Sequence, residues 1–321
     1  MGILKLKPAG KDYLWGGNRL NTEYNKNIPL SPLAETWECS VHPDGQSVIA
    51  EGEYTGRTLA EILRTHPEYI GRNAKEFPIL VKLIDAKKDL SVQVHPDDEY
   101  AMEYEHQNGK TEMWYVLDAE PGAHLIYGFE HPVTEDILRG AVKDGTLGKH
   151  LHKQYVKKGD VIFVPAGTVH GLGAGIVVAE IQESSNVTYR VYDYDRVDKY
   201  GQKRQLHFDK AIQVMDMHPV RTGIRLPRMV QYMPGCAKET LCKCKYFEIE
   251  RLRIQSRADF MVNNDSCQII LCVDGRGTLS DGMESRSDLK KGDCAFLIAG
   301  SGACKIIGTT EVLRIQLPCN M

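Results

Sequence analysis

The sequence has no apolar run approaching the roughly 18 residues that cross a bilayer, and its opening stretch, MGILKLKPAGKDYLWGG, has no long apolar core followed by a cleavage site. Nothing therefore marks export or membrane insertion, and a cytoplasmic protein without a membrane partner is expected. An excess of one sign of charge is also missing. The 43 acidic and 40 basic residues leave a net charge of -3, which argues against a general nucleic-acid or anionic-membrane surface. An anionic ligand must then be held by a few local cations. Cysteine is scarce in the first two-thirds, where Cys39 stands alone; the other eight of the nine, from Cys236 to Cys319, lie in the last third. The odd count and the strand-like surroundings of several, such as ILCV around Cys272, read as reduced thiols acting as small hydrophobes. Cys242 and Cys244 are the one close pair, and C-x-C without a matching second pair is a weak metal signal.

At 321 residues the chain exceeds what one small core needs, so two domains are expected, and 42% hydrophobic with 26% charged residues is an ordinary globular composition. Residues 1–55 read as short strands broken by turns (DYLWGG, AETWECSVHPDG, SVIAEGEY). Thr58 and Glu61 are spaced as a capping box for a helix that Pro67 ends. FPILVKLIDAKKDLSVQVHP supplies two strands, with Asp97 and Asp98 as caps of a short helix through Tyr104. EMWYVLDAEPGAHLIYGF predicts a hairpin turning at Glu120-Pro121-Gly122. Ile137, Leu138, Val142 and Leu147 mark a small helical insertion near 130–153, opened by Thr134. Strands resume in VKKGDVIFVPAGTVHGLGAGIVVAEIQ and YRVYDYDR, a helix is expected around HFDKAIQVMDM, and a connector runs from Val220 to Gly235.

The last third repeats the end of the first barrel. VKKGDVIFVPAGTVHGLGAGIVVAEIQ at 156–182 aligns with LKKGDCAFLIAGSGACKIIGTTEVLRIQ at 289–316, and EMWYVLDAEPG with QIILCVDGRG. The two offsets, 133 and 156, differ by about the length of the helical insertion. In the copy Ala303 replaces His170 and Gln268 replaces Glu112, which points to a duplicated barrel with chemistry only in the first. The expected domains are 1–235, catalytic, and 236–321, degenerate.

The chemistry lies in SVQVHPDDEYAMEYEHQNGKTE and downstream. Gln93 and His95 share a strand face, Glu112 opens the next apolar run, and His170 follows a proline-glycine turn. Two imidazoles, a carboxylate and an amide oxygen form a shell for zinc or a similar divalent ion. Singly each has an ordinary explanation: His170 as a hydrogen-bonded strand histidine, Glu112 as a strand-edge charge, Gln93 as a solvated face. Convergence on three strands of one barrel, absent from the copy, favours the metal, but spacing alone leaves both readings open.

The motifs QVHPDD, GKTEMWY, VPAGTVHG and TYRVYDYDR resemble those of the type I phosphomannose isomerases of the cupin superfamily, in their shorter bacterial form, over nearly the whole chain. The resemblance implies a mainly β fold of two cupin (double-stranded β-helix, or jelly-roll) barrels with a small helical insertion. It implies one Zn2+ per chain on Gln93, His95, Glu112 and His170, an active-site arginine at Arg190, and interconversion of mannose 6-phosphate and fructose 6-phosphate through a cis-enediolate. Arg190 is expected to stabilise charge or bind phosphate, with a structural pair to Asp193 or Asp195 as its ordinary alternative. Glu183, beside Gln182, is the candidate base if burial raises its carboxyl toward neutrality, with a solvated edge charge as its ordinary alternative and a lysine or a zinc-bound hydroxide as other candidates for the role; Lys110, Ser91, Lys82 and Trp15 are candidate substrate-binding residues. The expected partner is a small phosphosugar, and the oligomeric state is not given. A mononuclear iron oxygenase and a sugar-phosphate-binding module compete with this reading.

Overall fold

A computed structural model describes residues 2–72, 75–197, 200–220, 229–282 and 285–318. The chain forms two compact units that interleave along the sequence: residues 1–11, 18–83 and 227–321 make one, and 12–17 with 84–226 make the other. Among the described residues no helix is long and apolar enough to cross a membrane.

The first unit holds a ten-stranded sheet. Its amino-terminal strand Ile3–Lys7 is sandwiched between Cys294–Leu297 and Val48–Ile49. The expected boundary at 235/236 therefore does not divide the compact units, because the first strand of the chain completes a carboxy-terminal sheet. It also falls inside a hairpin. The expected connector contains the strand Val230–Met233, which pairs with Cys236–Lys243, Met233 facing Cys236 across a turn at Gly235 whose φ is +78°; glycine adopts that angle without strain. The predicted helix forms over Leu59–Thr65, with Glu61 N donating to Thr58 Oγ1 and Thr58 N donating to Glu61 Oε2.

In the second unit the strands run in the order Val161–Val164, Glu112–Ala119, Ile176–Glu183 in one sheet. A five-stranded sheet has the order Tyr189–Tyr192, Val92–Val94, His170–Gly171, His124–Phe129, Leu151–Tyr155. The hairpin expected over 112–129 is not formed. Both edges of Glu112–Ala119 are taken by other strands, so the turn at Gly122 carries the chain into the other sheet. The short helices Asp98–Tyr104, Glu135–Lys143 and Phe208–Val214 stand where capping residues and apolar spacing place them, with Asp97 accepting from Tyr100 N at 3.0 Å. Ile137, expected on the buried face of its helix, is exposed, while Leu138 and Ala141 are buried. Val92 and Val94 point into a core with Phe129, Leu138, Ala211 and Met215. Alternation then turns Gln93 the other way.

The internal repeat is visible in the ladders of the two units. Glu112 faces Val164 on one side and Gln182 on the other; Gln268 faces Leu297 and Gln316. His170 faces Gln93, and Ala303 faces Met261. The copy thus has Met261, Gln268 and Ala303 at the positions of Gln93, Glu112 and His170.

Candidate metal centre

Three strands of one sheet carry a row of polar side chains: Arg190 pairs with Gln93, and Gln93 pairs with His170. Directly opposed residues share a face. His95, two residues beyond Gln93, continues it. Glu112 enters from the other sheet of the same unit, and its carboxylate lies 3.5 Å from His95 Nε2, 3.4 Å from His170 Nε2 and 3.5 Å from the Lys110 ammonium. One ligand-type atom from each of His95, Glu112 and His170 lies within 4.8 Å of the others, and all three residues are buried.

The protons on His170 bear on what this arrangement can hold. Its Nδ1 lies 2.8 Å from the Thr168 carbonyl, which only accepts, so Nδ1 carries the hydrogen. Burial, chiefly, lowers the pKa of the ring to about 4, so the imidazole is neutral at pH 7 and Nε2 is a bare lone pair. That lone pair faces Glu112 Oε1. A buried lone pair on His170 Nε2 facing a carboxylate is unfavourable, because that oxygen supplies no hydrogen to offset the loss of water, a cost of about 1–3 kcal/mol. A divalent cation between them removes the conflict. Anchoring of the distal ring nitrogen by a carbonyl is what ligating histidines generally show, and two imidazoles with a carboxylate suit zinc or a similar ion.

Residues 3–121 match the family model described as phosphomannose isomerase type I, catalytic domain, and residues 237–317 that described as mannose-6-phosphate isomerase, cupin domain. The chain is 36% identical over 318 residues to mannose-6-phosphate isomerase ManA of Bacillus subtilis, covering 98% of each chain. It is 39% identical over 301 residues to mannose-6-phosphate isomerase of Streptococcus mutans, covering 94% of this chain and 93% of the relative. The chain belongs to the type I phosphomannose isomerases. Its fold agrees: the crystal structure of the mannose 6-phosphate isomerase from Bacillus subtilis aligns with a TM-score of 0.91 at 36% identity, over 98% of this chain and 99% of that one.

In this type I phosphomannose isomerase, Arg190 is half-buried, donating from Nε to Ser91 Oγ at 3.3 Å and from Nη1 to the Gln205 carbonyl at 2.9 Å. Its ordinary alternative, a pair with Asp193 or Asp195, is not formed. Asp193 is held by Arg196 and Arg204, and Asp195 by Lys203; no carboxylate pairs with Arg190 among the described residues. Lys110 and Ser91 are both buried. Trp15 is buried against Tyr13, their ring centres 5.6 Å apart. Lys82 lies in the other unit, where its ammonium is 3.8 Å from Glu35 and 5.1 Å from the centre of the Trp37 ring.

Glu183 is not brought into this cluster. One residue beyond Gln182, it points to the opposite face of the strand, accepting from Thr111 N at 2.7 Å and hydrogen-bonding to Asp98. Burial, chiefly, raises its pKa to about 8, with Asp98 adding to the rise; at neutral pH the carboxyl is mostly protonated and a poor proton acceptor. Parity along the strand identifies the residues that sequence reasoning missed. Gln182 faces Glu112, and Glu180 faces Trp114. Glu180 accepts from Trp114 Nε1 at 2.8 Å, and its charge acts on His170. Gln182 is fully buried, with Nε2 donating to the Glu183 and Ser185 carbonyls while Oε1 has no hydrogen-bond partner among the described residues. Counting in twos from the residue opposite Glu112 selects both.

Proposed function

We propose that the protein interconverts mannose 6-phosphate and fructose 6-phosphate, using one zinc ion per chain held by His95, Glu112, His170 and Gln93. The observation that carries this reading is the buried contact between the lone pair of His170 Nε2 and the Glu112 carboxylate, in a chain whose relatives carry that enzyme's name. Gln93 enters by register: its side chain shares the face of His170, and as a neutral ligand it leaves the site more positive than a second carboxylate does. Moving a hydrogen between C1 and C2 of an open-chain sugar proceeds most simply through a cis-enediolate, which concentrates negative charge on two oxygens. A bound zinc ion supplies Lewis-acid stabilisation of that charge.

The chain's own groups do the rest. Lys110 sets a positive charge 3.5 Å from the Glu112 carboxylate, which supports a role in orienting substrate oxygens. Arg190, with no carboxylate partner among the described residues and fixed by Ser91 and Gln205, is a preorganised cation for phosphate or for charge developing in the transition state. Burial and the neighbouring Arg204 pull its pKa below the usual value, yet a guanidinium remains protonated at neutral pH, so it binds and does not abstract. The same reading takes the enzyme as cytoplasmic.

The test is a coupled assay for fructose 6-phosphate formed from mannose 6-phosphate, run as purified, after chelation, and after restoring zinc or adding Fe(II). Activity lost with the metal and regained with zinc supports the proposal. Turnover indifferent to chelation, or restored by Fe(II) and not by zinc, overturns the zinc assignment; no product under any condition overturns the activity.

A further inference from the structure

The C-x-C pair absent from this chemistry has its own geometry. Cys242 is the penultimate residue of the strand Cys236–Lys243 and pairs with Ile249, just after a register irregularity between Thr240 and Cys242; Cys244 opens the turn into Glu248–Ile254. Two residues apart, the two side chains leave the same face of the strand end, and each thiol acts on the titration of the other. The backbone N–H of Tyr246 donates to Cys244 Sγ at 3.5 Å, and the Phe247 carbonyl lies 3.6 Å from the same sulfur, where it takes the thiol proton. Both cysteines are partly exposed, whereas the other six described ones are buried. We propose that Cys242 and Cys244 are a thiol-oxidation site, closing to a reversible intrachain disulfide by exchange with low-molecular-weight disulfides.

The two sulfurs have different roles. The neighbouring Cys242 thiol, and then the N–H that Tyr246 donates to the sulfur, bring Cys244 well below the ordinary thiol range, while the pairing with Cys244 and burial push Cys242 up. Cys244 is then the attacking thiolate. It displaces one thiolate from the small disulfide and becomes a mixed disulfide. Cys242 loses its proton to solvent, attacks the Cys244 sulfur and expels the second thiolate. The pair gives up two electrons and two protons, and one disulfide becomes two thiols. A link spanning one intervening residue closes a tight ring, which makes it easily reduced again.

The test uses the full-length reduced chain treated with oxidised glutathione, alkylated with N-ethylmaleimide under denaturing conditions and cleaved after glutamate, which leaves residues 240–248 on one peptide. The expected product is that peptide lighter by two hydrogens and without maleimide. Cys242→Ser accumulates a glutathione adduct on Cys244, whereas Cys244→Ser leaves Cys242 reacting at least about tenfold more slowly, because burial still holds its thiol up once Cys244 is gone. A 240–248 peptide carrying two maleimides, no adduct on Cys244 in Cys242→Ser, or equal reactivity of the two single variants overturns the proposal.

Discussion

His170 gives its only hydrogen to Thr168 and offers a lone pair toward Glu112, so Glu112 supplies the sole negative charge in the proposed donor set. Glu112→Gln keeps the shape and removes that charge. Metal content and turnover are therefore expected to fall together, by tenfold or more on the scale of a lost ligand interaction, as read by metal analysis beside the coupled assay; full metal content in the variant contradicts the assignment. Arg190→Ala separates the two readouts. It removes a cation beside Gln93 and not a ligand, so zinc stays bound while turnover drops by about two to three powers of ten; near-normal turnover makes Arg190 structural. Glu183 bears on stability. Its carboxyl titrates at about 8 in the folded chain against an ordinary 4.5, so the folded state holds the proton longer. Below pH 4.5 both states are protonated and there is no penalty; as pH rises toward 8 the unfolded state ionises first and stability falls, and above 8 the loss is constant. Glu183→Gln is expected to lose less stability than the parent between pH 5 and pH 8.5 in urea unfolding. Parallel pH dependences refute this.

The helix Leu59–Thr65 shows how local chemistry sets an element. Its capping box satisfies two backbone donors of the first turn, and Thr58→Ala removes one of the two bonds. A loss of about 1 kcal/mol in unfolding free energy with unchanged turnover is expected, and a change below a few tenths denies the cap its role. This helix was legible because both partners lie three residues apart in sequence. The alternation of Gln93 and His95 was legible for the same reason: the parity of a strand is written in adjacent residues. The course of 112–129 was not, because a turn sequence fixes the bend and not which strands take the edges beside it, and those partners lie at 161–164 and 176–183. Burial raises the Glu183 carboxyl toward neutrality as expected of it, but neighbours on a strand face opposite ways, so it does not share the face of Gln182. Glu180 and Gln182 become visible once Gln182 is known to oppose Glu112.

At the scale of the whole molecule, the repeat was legible and the boundary was not. Similarity between 156–182 and 289–316 reports which strands are equivalent, and the ladders carry that equivalence through Gln182 and Gln316 opposite Glu112 and Gln268. It does not report that Ile3–Lys7 leaves the amino-terminal segment to pair with Cys294–Leu297. That pairing has a consequence for fragments. A chain ending at 235 keeps Ile3, Leu4, Leu6 and Phe77, all buried in the full protein, with Phe77 set edge-on to Phe296 at 5.6 Å between ring centres, but loses the strands that cover them. Exposing such side chains costs roughly 1.5–3 kcal/mol each, so the four together cost about as much as the 5–15 kcal/mol of net stability a typical domain has. Residues 1–235 expressed alone are therefore expected to lose the unfolding transition of the first unit while keeping every residue of the second, and adding 236–321 as a separate chain is expected to restore the lost transition. Protection of the Ile3–Lys7 amides in the isolated fragment, read by hydrogen exchange, would show that the first unit folds without the strand at 294–297.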